Sequence, residues 1–318
     1  MKLFSKAIAS LTMGLAALCI MAASPVQADQ AVLLRYVFNA GDVHHFTVKS
    51  DETVKQSPPH MGEMTLTKHT EMDFTQEILS VDADGNARTS LRYDAVRLQI
   101  ETPFGTESFD SSIDSGAYSP ETACFEALIG SAFEVVVSPR GKVLAVNGLN
   151  ELVQRLVDSL AEDYGPMKEV IESTMSQLLS EEAISNQLGK FSPPFPEEAV
   201  CVGCEWDDCT ELDVGFGAIK LTMVYKLKSV SASEIVISVK GSMSGDLDGT
   251  GGFDVPLTYN MNGVMKGDWV LNGTTCMLES STMNLDMLGQ VEIAESDIIP
   301  EGMSWDIATS SLTSVCRN

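Results

Sequence analysis

The sequence predicts an α+β protein, mainly antiparallel β, with two related curved β-sheet halves flanking a central helical segment. Three observations predict it. Long runs alternate apolar with polar side chains, as a sheet with one buried face requires. A similar junction joins such runs twice, as Ser80-Val81-Asp82-Ala83-Asp84 and, 149 residues later, as Ser229-Val230-Ser231-Ala232-Ser233. Between the two sets the apolar residues recur at helical spacing.

The elements follow in order. Lys2 and Lys6 precede an apolar stretch from Ala7 to about Ala23, and Val26-Gln27-Ala28 places small residues before Asp29. This is the pattern of a secretory signal peptide over residues 1–28, cut after Ala28, with a retained anchor as the alternative. The N-terminal β half spans residues 29–146. Leu34, Tyr36 and Phe38 alternate before a turn at Asn39–Asp42, and Phe46 and Val48 resume the pattern. Met72, Phe74 and Ile78 lead into the Asp82–Asn86 turn, with Ala87, Thr89, Leu91 and Tyr93 on the return. Ala132–Val137 and Val143–Val146 form a hairpin about Ser138-Pro139-Arg140-Gly141.

The helical segment spans residues 147–189. Leu149, Leu152, Val153, Leu156, Val157 and Leu160 share one helix face, with Asn147 as N-cap and Gly165 as the stop. Pro166 suits the first turn of a second helix, and Ser180 caps a third that ends at Gly189. The C-terminal β half, residues 190–318, opens on the stiff Phe191–Pro196 connector. Its clearest strand places Ile219, Leu221, Met223, Tyr225 and Leu227 on one face, and Ile235, Ile237 and Val239 return after the turn.

Several short motifs carry a resemblance. Leu34-Arg35-Tyr36-x-Phe38-x-x-Gly41-Asp42, Ser138-Pro139-x-Gly141-x-Val143, Phe195-Pro196 before Val202-Gly203-x-x-Trp206, and Gly263-x-x-x-Gly267 together resemble a family of exported bacterial proteins of unknown function. The resemblance implies architecture and export, and brings no activity or catalytic residue. Cys201, Cys204 and Cys209 around the Gly-x-x-Trp element depart from the family pattern.

Composition narrows the function classes. Loss of Lys2 and Lys6 with the signal leaves 18 basic residues against 45 acidic, a net charge of −27. Such a chain repels phosphate backbones, so no nucleic acid partner is expected. Past the signal no stretch is long and apolar enough to span a bilayer as a helix, and a periplasmic or extracellular location is expected. Six cysteines remain after the signal: Cys124, Cys201, Cys204, Cys209, Cys276 and Cys316. An even count in an oxidising compartment makes all six disulfide candidates, with the pairing open. Cys201-x-x-Cys204 also has the form of a redox or zinc motif, but no second metal-ligand pair follows it.

Chemistry-bearing constellations are sparse. The four histidines, His44, His45, His60 and His69, fall within 26 residues, and no nucleophile elbow accompanies them. No catalytic residue, cofactor or metal site is expected, and the protein is read as a non-enzyme. Asp82–Asn86 and Asp246–Gly249 resemble calcium loops but place glycine fourth rather than sixth, as hairpin turns do. Methionine is abundant, including Met61 and Met64 beside His60 and the pairs Met261/Met265 and Met283/Met287. Thioethers could hold Cu(I) or fill irregular apolar space; the second reading is preferred.

The leading expectation is non-catalytic binding of an apolar ligand such as a lipid, in a groove between curved sheet and helices. Its lining would be Leu149, Leu152, Leu156, Met223, Tyr225, Met261 and Met265. The alternative is a structural or protein-interaction module of the cell envelope.

Overall fold

The structure is a computed structural model, and it describes residues 31–113, 122, 125–126, 128–161, 179–180, 184, 193–213, 217–249, 257–295 and 299–318. Among the described residues twelve strands form a single sheet with every pairing antiparallel. They are β1 (Val43–Gln56), β2 (Met64–Val81), β3 (Ala87–Thr102), β4 (Gly105–Asp110), β5 (Ala132–Val137), β6 (Val143–Asn147), β7 (Glu205–Asp213), β8 (Gly217–Val230), β9 (Glu234–Gly249), β10 (Leu257–Asn272), β11 (Leu278–Ile293) and β12 (Met303–Arg317). The sheet order is β6-β5-β3-β2-β1-β12-β11-β10-β9-β8-β7, with β4 paired to β3. One helix, α1 (Leu149–Ala161), is described between β6 and β7.

The strands of the two expected halves, β1–β6 and β7–β12, thus lie in one continuous sheet. The first and last strands pair in register from Phe46↔Arg317 to Gln56↔Ile307, fusing the halves into one sheet. Alternation along a strand fixes its buried face, but not which distant strand lies beside it. Two local expectations also change. Leu34–Phe38 is no sheet strand; apart from an isolated bridge between Val32 and Val200, it runs as extended chain across the end of the sheet. Asn147 ends β6, and Gly148 caps α1, its carbonyl accepting from Leu152 N at 3.0 Å. The expected second and third helices lie outside the described residues.

One face of the sheet is buried and the other polar. Phe46, Val48, Phe74, Tyr93, Leu227, Ile237, Trp269 and Val315 point inward, while Lys49, Glu71, Lys226, Lys240, Lys266 and Asp268 alternate outward. The core sits at one end of this inner face. There Leu149, Leu152 and Val157 of α1, with Leu34, Tyr36 and Phe195, pack on the sheet.

The same end shows that the sheet is rolled. Its two edges are ten strand spacings apart, roughly 48 Å if the sheet were flat. Yet Trp206, at the start of edge strand β7, donates to Pro194 O at 2.9 Å, and Arg140, in the β5–β6 turn, donates to Phe195 O at 2.9 Å. Adjacent residues of one segment thus bind both edges. Tyr36 joins them: its ring stacks on Phe195 at 4.4 Å, its hydroxyl donates to Pro193 O at 3.0 Å and its N–H to Pro139 O at 2.8 Å. Residues 31–38 and 193–204 plug this end of the roll.

Gly141, in the β5–β6 turn, packs directly against the plug. Its φ of +82° is left-handed, and an added Cβ would sit 2.8 Å from Tyr36 Cε2. Gly141→Ala is expected to cost about 1–3 kcal/mol from backbone strain alone. Exposed Val264→Ala, on the polar face, should change stability by less than about 0.5 kcal/mol. Urea unfolding of the two variants checks this.

Candidate functional site

Beyond the core, the inner face of β8–β11 changes character. Strand alternation places Gly241-x-Met243-x-Gly245 on β9, Met261-x-Gly263-x-Met265-x-Gly267 on β10 and Met283-x-Leu285-x-Met287-x-Gly289 on β11 facing inward, beside Ile219, Leu221 and Met223 of β8. Register sets methionine opposite glycine on the neighbouring strand: Met223↔Gly241, Gly241↔Met265, Met243↔Gly263, Gly263↔Met287 and Met261↔Gly289.

The contacts follow from that register. A Cβ added at Gly263 would meet Met287 Cγ at 2.7 Å and Met243 Cγ at 2.9 Å. One at Gly241 would meet Met265 Cγ at 2.8 Å, and one at Gly289 would meet Met261 Cγ at 3.1 Å. Each glycine thus leaves the space in which a flexible thioether lies flat across its neighbour's backbone. These residues are half-buried, between the core at one end and buried Leu247, Leu257 and Val291 at the other. From Met261 to Gly267 and across four strands the floor measures roughly 20 by 15 Å. None of its inward positions carries a charge.

The expected lining residues divide. Met223, Met261 and Met265 lie on this floor. Leu149 and Leu152 are buried in the core, and Tyr225 is 1 % exposed in an aromatic stack with Trp206 (5.5 Å) and Trp269 (5.8 Å). Burial raises the Tyr225 phenol above its ordinary pKa, with the Asp208 charge adding to the effect, and its hydroxyl rests on Met223 Sδ at 3.4 Å. Leu156 lies in α1, its side chain outside the described set. Met243, Met287 and the five glycines were not among the expected lining residues, although Met287, Gly263 and Gly267 stand in motifs the sequence singles out. The plugged end holds a small apolar cavity of about 40 Å³, lined by Tyr36, Phe46, Phe74, Phe133 and Met277 among others. A ligand pocket of about 300–1,000 Å³ is far larger than this space.

The cysteines separate as well. Cys201 and Cys204 form a disulfide in the turn before β7, where Gly203 N donates to Leu227 O at 2.7 Å. Cys209, Cys276 and Cys316 are free thiols, so the expectation that they bridge is corrected; Cys124 lies outside the described residues. Cys209 on β7 and Cys316 on β12 are five sheet positions apart, and a disulfide needs its Cα atoms within about 7 Å. Cys276 is buried in the β10–β11 turn, and burial raises its thiol pKa. Alkylation of the native protein should label Cys209 and Cys316 and spare Cys276 until urea is added; peptide mass spectrometry reads the sites.

The histidines take separate roles. His45, on the polar face, approaches Thr75 Oγ1 with Nδ1 at 2.9 Å, and that hydroxyl donates to Asp94. With its one proton committed to Asp94, Thr75 accepts from His45. The hydroxyl stands between acid and imidazole, the reverse of the order that activates a nucleophile. His69 pairs with Asp51 at 2.6 Å, and His60 lies in the β1–β2 turn. The Asp82–Asn86 segment is a turn whose carboxylate accepts from Asn86 Nδ2, Asn86 N and Asp84 N. Among the described residues no cluster of three His, Cys, Asp or Glu is placed to hold a metal.

His44 faces inward, 7 % exposed, with Nδ1 unpartnered. Burial first, then the Arg317 charge, holds its pKa below the ordinary 6.5, against Asp42 and Glu279. The unfolded chain binds this proton more readily than the folded one. Stability should therefore fall as pH drops below about 6.5, until the lowered folded pKa is reached. Urea midpoints measured between about pH 7.5 and 5.5 should fall less steeply in His44→Phe than in the parent.

A rolled antiparallel sheet with a polar outer face and an uncharged apolar inner floor defines the class: an open β-sheet protein with an interior apolar surface. The chain matches the family of unknown function DUF6263 over residues 84–278 and belongs to that family. No curated protein matches it. Among solved structures, lipovitellin, in a structure of its lipid–protein interactions, is similar at TM-score 0.47 and 10% identity, over 88% of this chain and 25% of that one. The chain spans a quarter of the lipovitellin chain. DynF from the dynemicin biosynthesis pathway of Micromonospora chersina is similar at TM-score 0.19 and 7% identity, over 90% and 85% of the two chains. OccK5 (OpdH) of Pseudomonas aeruginosa scores 0.22 at 7% identity, over 87% and 98%. At these scores none of the three defines the fold or the site of this chain. No helix among the described residues is long and apolar enough to cross a membrane.

Proposed function

We propose that this is an exported, non-catalytic protein that binds an apolar molecule such as a lipid on the inner face of its rolled sheet. The observation that carries the reading is the half-buried methionine–glycine floor, uncharged and continuous over four strands. Contiguous apolar patches of about 300–600 Å² on a single chain are often functional, and the floor approaches that size. Methionine suits the role because its unbranched thioether repacks around ligands of differing shape. The polar outer face and the acidic balance keep the exterior solvated. Export rests on the N-terminal pattern of Lys2, Lys6 and residues 7–28.

A second reading, a protein-interaction module, draws on the β6 edge. Val143–Asn147 has no charge and no proline, and Leu144 is 49 % exposed. Such an edge can accept a strand from a partner in the envelope.

Protein purified from its native source without detergent, extracted with organic solvent and analysed by mass spectrometry, tests the first reading. A lipophile released in near-stoichiometric amount is the expected result. A clean extract, together with no uptake of added lipid, would sink it.

A further inference from the structure

We propose that the binding surface is a diagonal trough, Gly241–Gly263–Gly289, which takes one straight alkyl chain when its methionine lids swing aside. The proposal rests on the apolar-ligand reading and assigns it a place and a ligand class.

The trough follows from register. Gly241 on β9 lies opposite Met265 on β10; Gly263 is two residues from Met265 and opposite Met287 on β11; Gly289 is two residues from Met287. The three glycines therefore step diagonally across three adjacent strands, one residue pair per strand. Diagonal neighbours are about 7–8 Å apart, so the bare backbone runs for about 15 Å. Continued in the same direction, the diagonal meets Tyr225 of β8 at one end and Trp305 of β12 at the other. Aromatic side chains stand at both ends.

What fills the trough now is movable. Met265 rests on Gly241, Met243 and Met287 on Gly263, and Met261 on Gly289. Each side chain turns about three single bonds, so it can leave the glycine without backbone motion. Met243, Met261, Met265 and Met287 stand outside the packed core cluster, unlike Met223 and Met283, which border it. The vacated space is one glycine wide, which admits an unbranched chain and resists rings and branches. It has no charged group to meet a head group, so the occupant is the tail of an acyl lipid, not its head. The apolar cavity at the plugged end, about 40 Å³, is too small to compete for this ligand.

Photolabelling of the full chain with a diazirine-bearing hexadecanoic acid provides the test, with labelled residues read by peptide mass spectrometry. Label on β9–β11, between Gly241 and Gly289, is the expected result. Dansyl-undecanoic acid fluorescence then compares the parent with Gly263→Val. That substitution fills the trough and should weaken binding at least tenfold while leaving the circular dichroism unchanged. Should Gly263→Val misfold, the label map of the parent protein still decides. Label on α1 or in the plug would overturn the trough, as would parent-level binding by folded Gly263→Val; the apolar-ligand reading survives either result. A parent protein that binds neither probe and releases no lipophile removes both.

Discussion

Residues 193–196 satisfy two edges of one sheet at once, and the rest of the molecule is arranged around that constraint. Pro194 O holds Trp206 of β7, while Phe195 exchanges hydrogen bonds with Arg140 beyond β5. A flat sheet of this width could not meet both. Rolling it brings the edges to the connector, and Tyr36, threaded between Pro139 and Phe195, fills the end that results. The rolled geometry depends in turn on the β1–β12 seam, because without it two separate sheets would each have a free edge to cover.

The plug also explains why the apolar residues have two different fates. Near it, Trp269, Tyr225, Leu227 and Ile237 are covered by aromatic and helical side chains and pack as an ordinary core. Farther along the same strands, large side chains alternate with glycine across the register, and the surface stays half-buried. Glycine within a strand weakens it by about 0.5–1 kcal/mol relative to alanine. Five such positions on adjacent strands are a substantial concession, offset only in part by the thioethers lying over them. That pattern fits a surface selected to be shallow and deformable, where a packed core would have carried valine or isoleucine.

Much of this was legible in residues taken a few at a time. The β8–β9 hairpin about Ser229–Ser233, the β5–β6 hairpin about Pro139 and Gly141, and the inward set Ile219 to Leu227 follow from period-two alternation and turn chemistry. The face of α1 that carries Leu149 and Leu152 follows from helical spacing of the apolar residues. The inward direction of Met261 and Met265 was legible too, because residues four apart on a strand share a face. Their glycine partners were not, since Gly241 and Gly289 become neighbours of Met265 and Met261 only through cross-strand register.

The sequence by itself determined most of the strands, which face each of them buries and that the other face is polar, because these depend on side-chain periodicity within one segment. Only the tertiary structure decided that β1 lies beside β12, that Cys209 and Cys316 are too far apart to bridge, that Leu34–Phe38 plugs the roll instead of extending the sheet, and that methionine stands over glycine. Each of these is a relation between segments distant along the chain. Hydrophobicity sets how strongly such segments attract, while the pairing that wins is set by how all twelve strands close upon one connector.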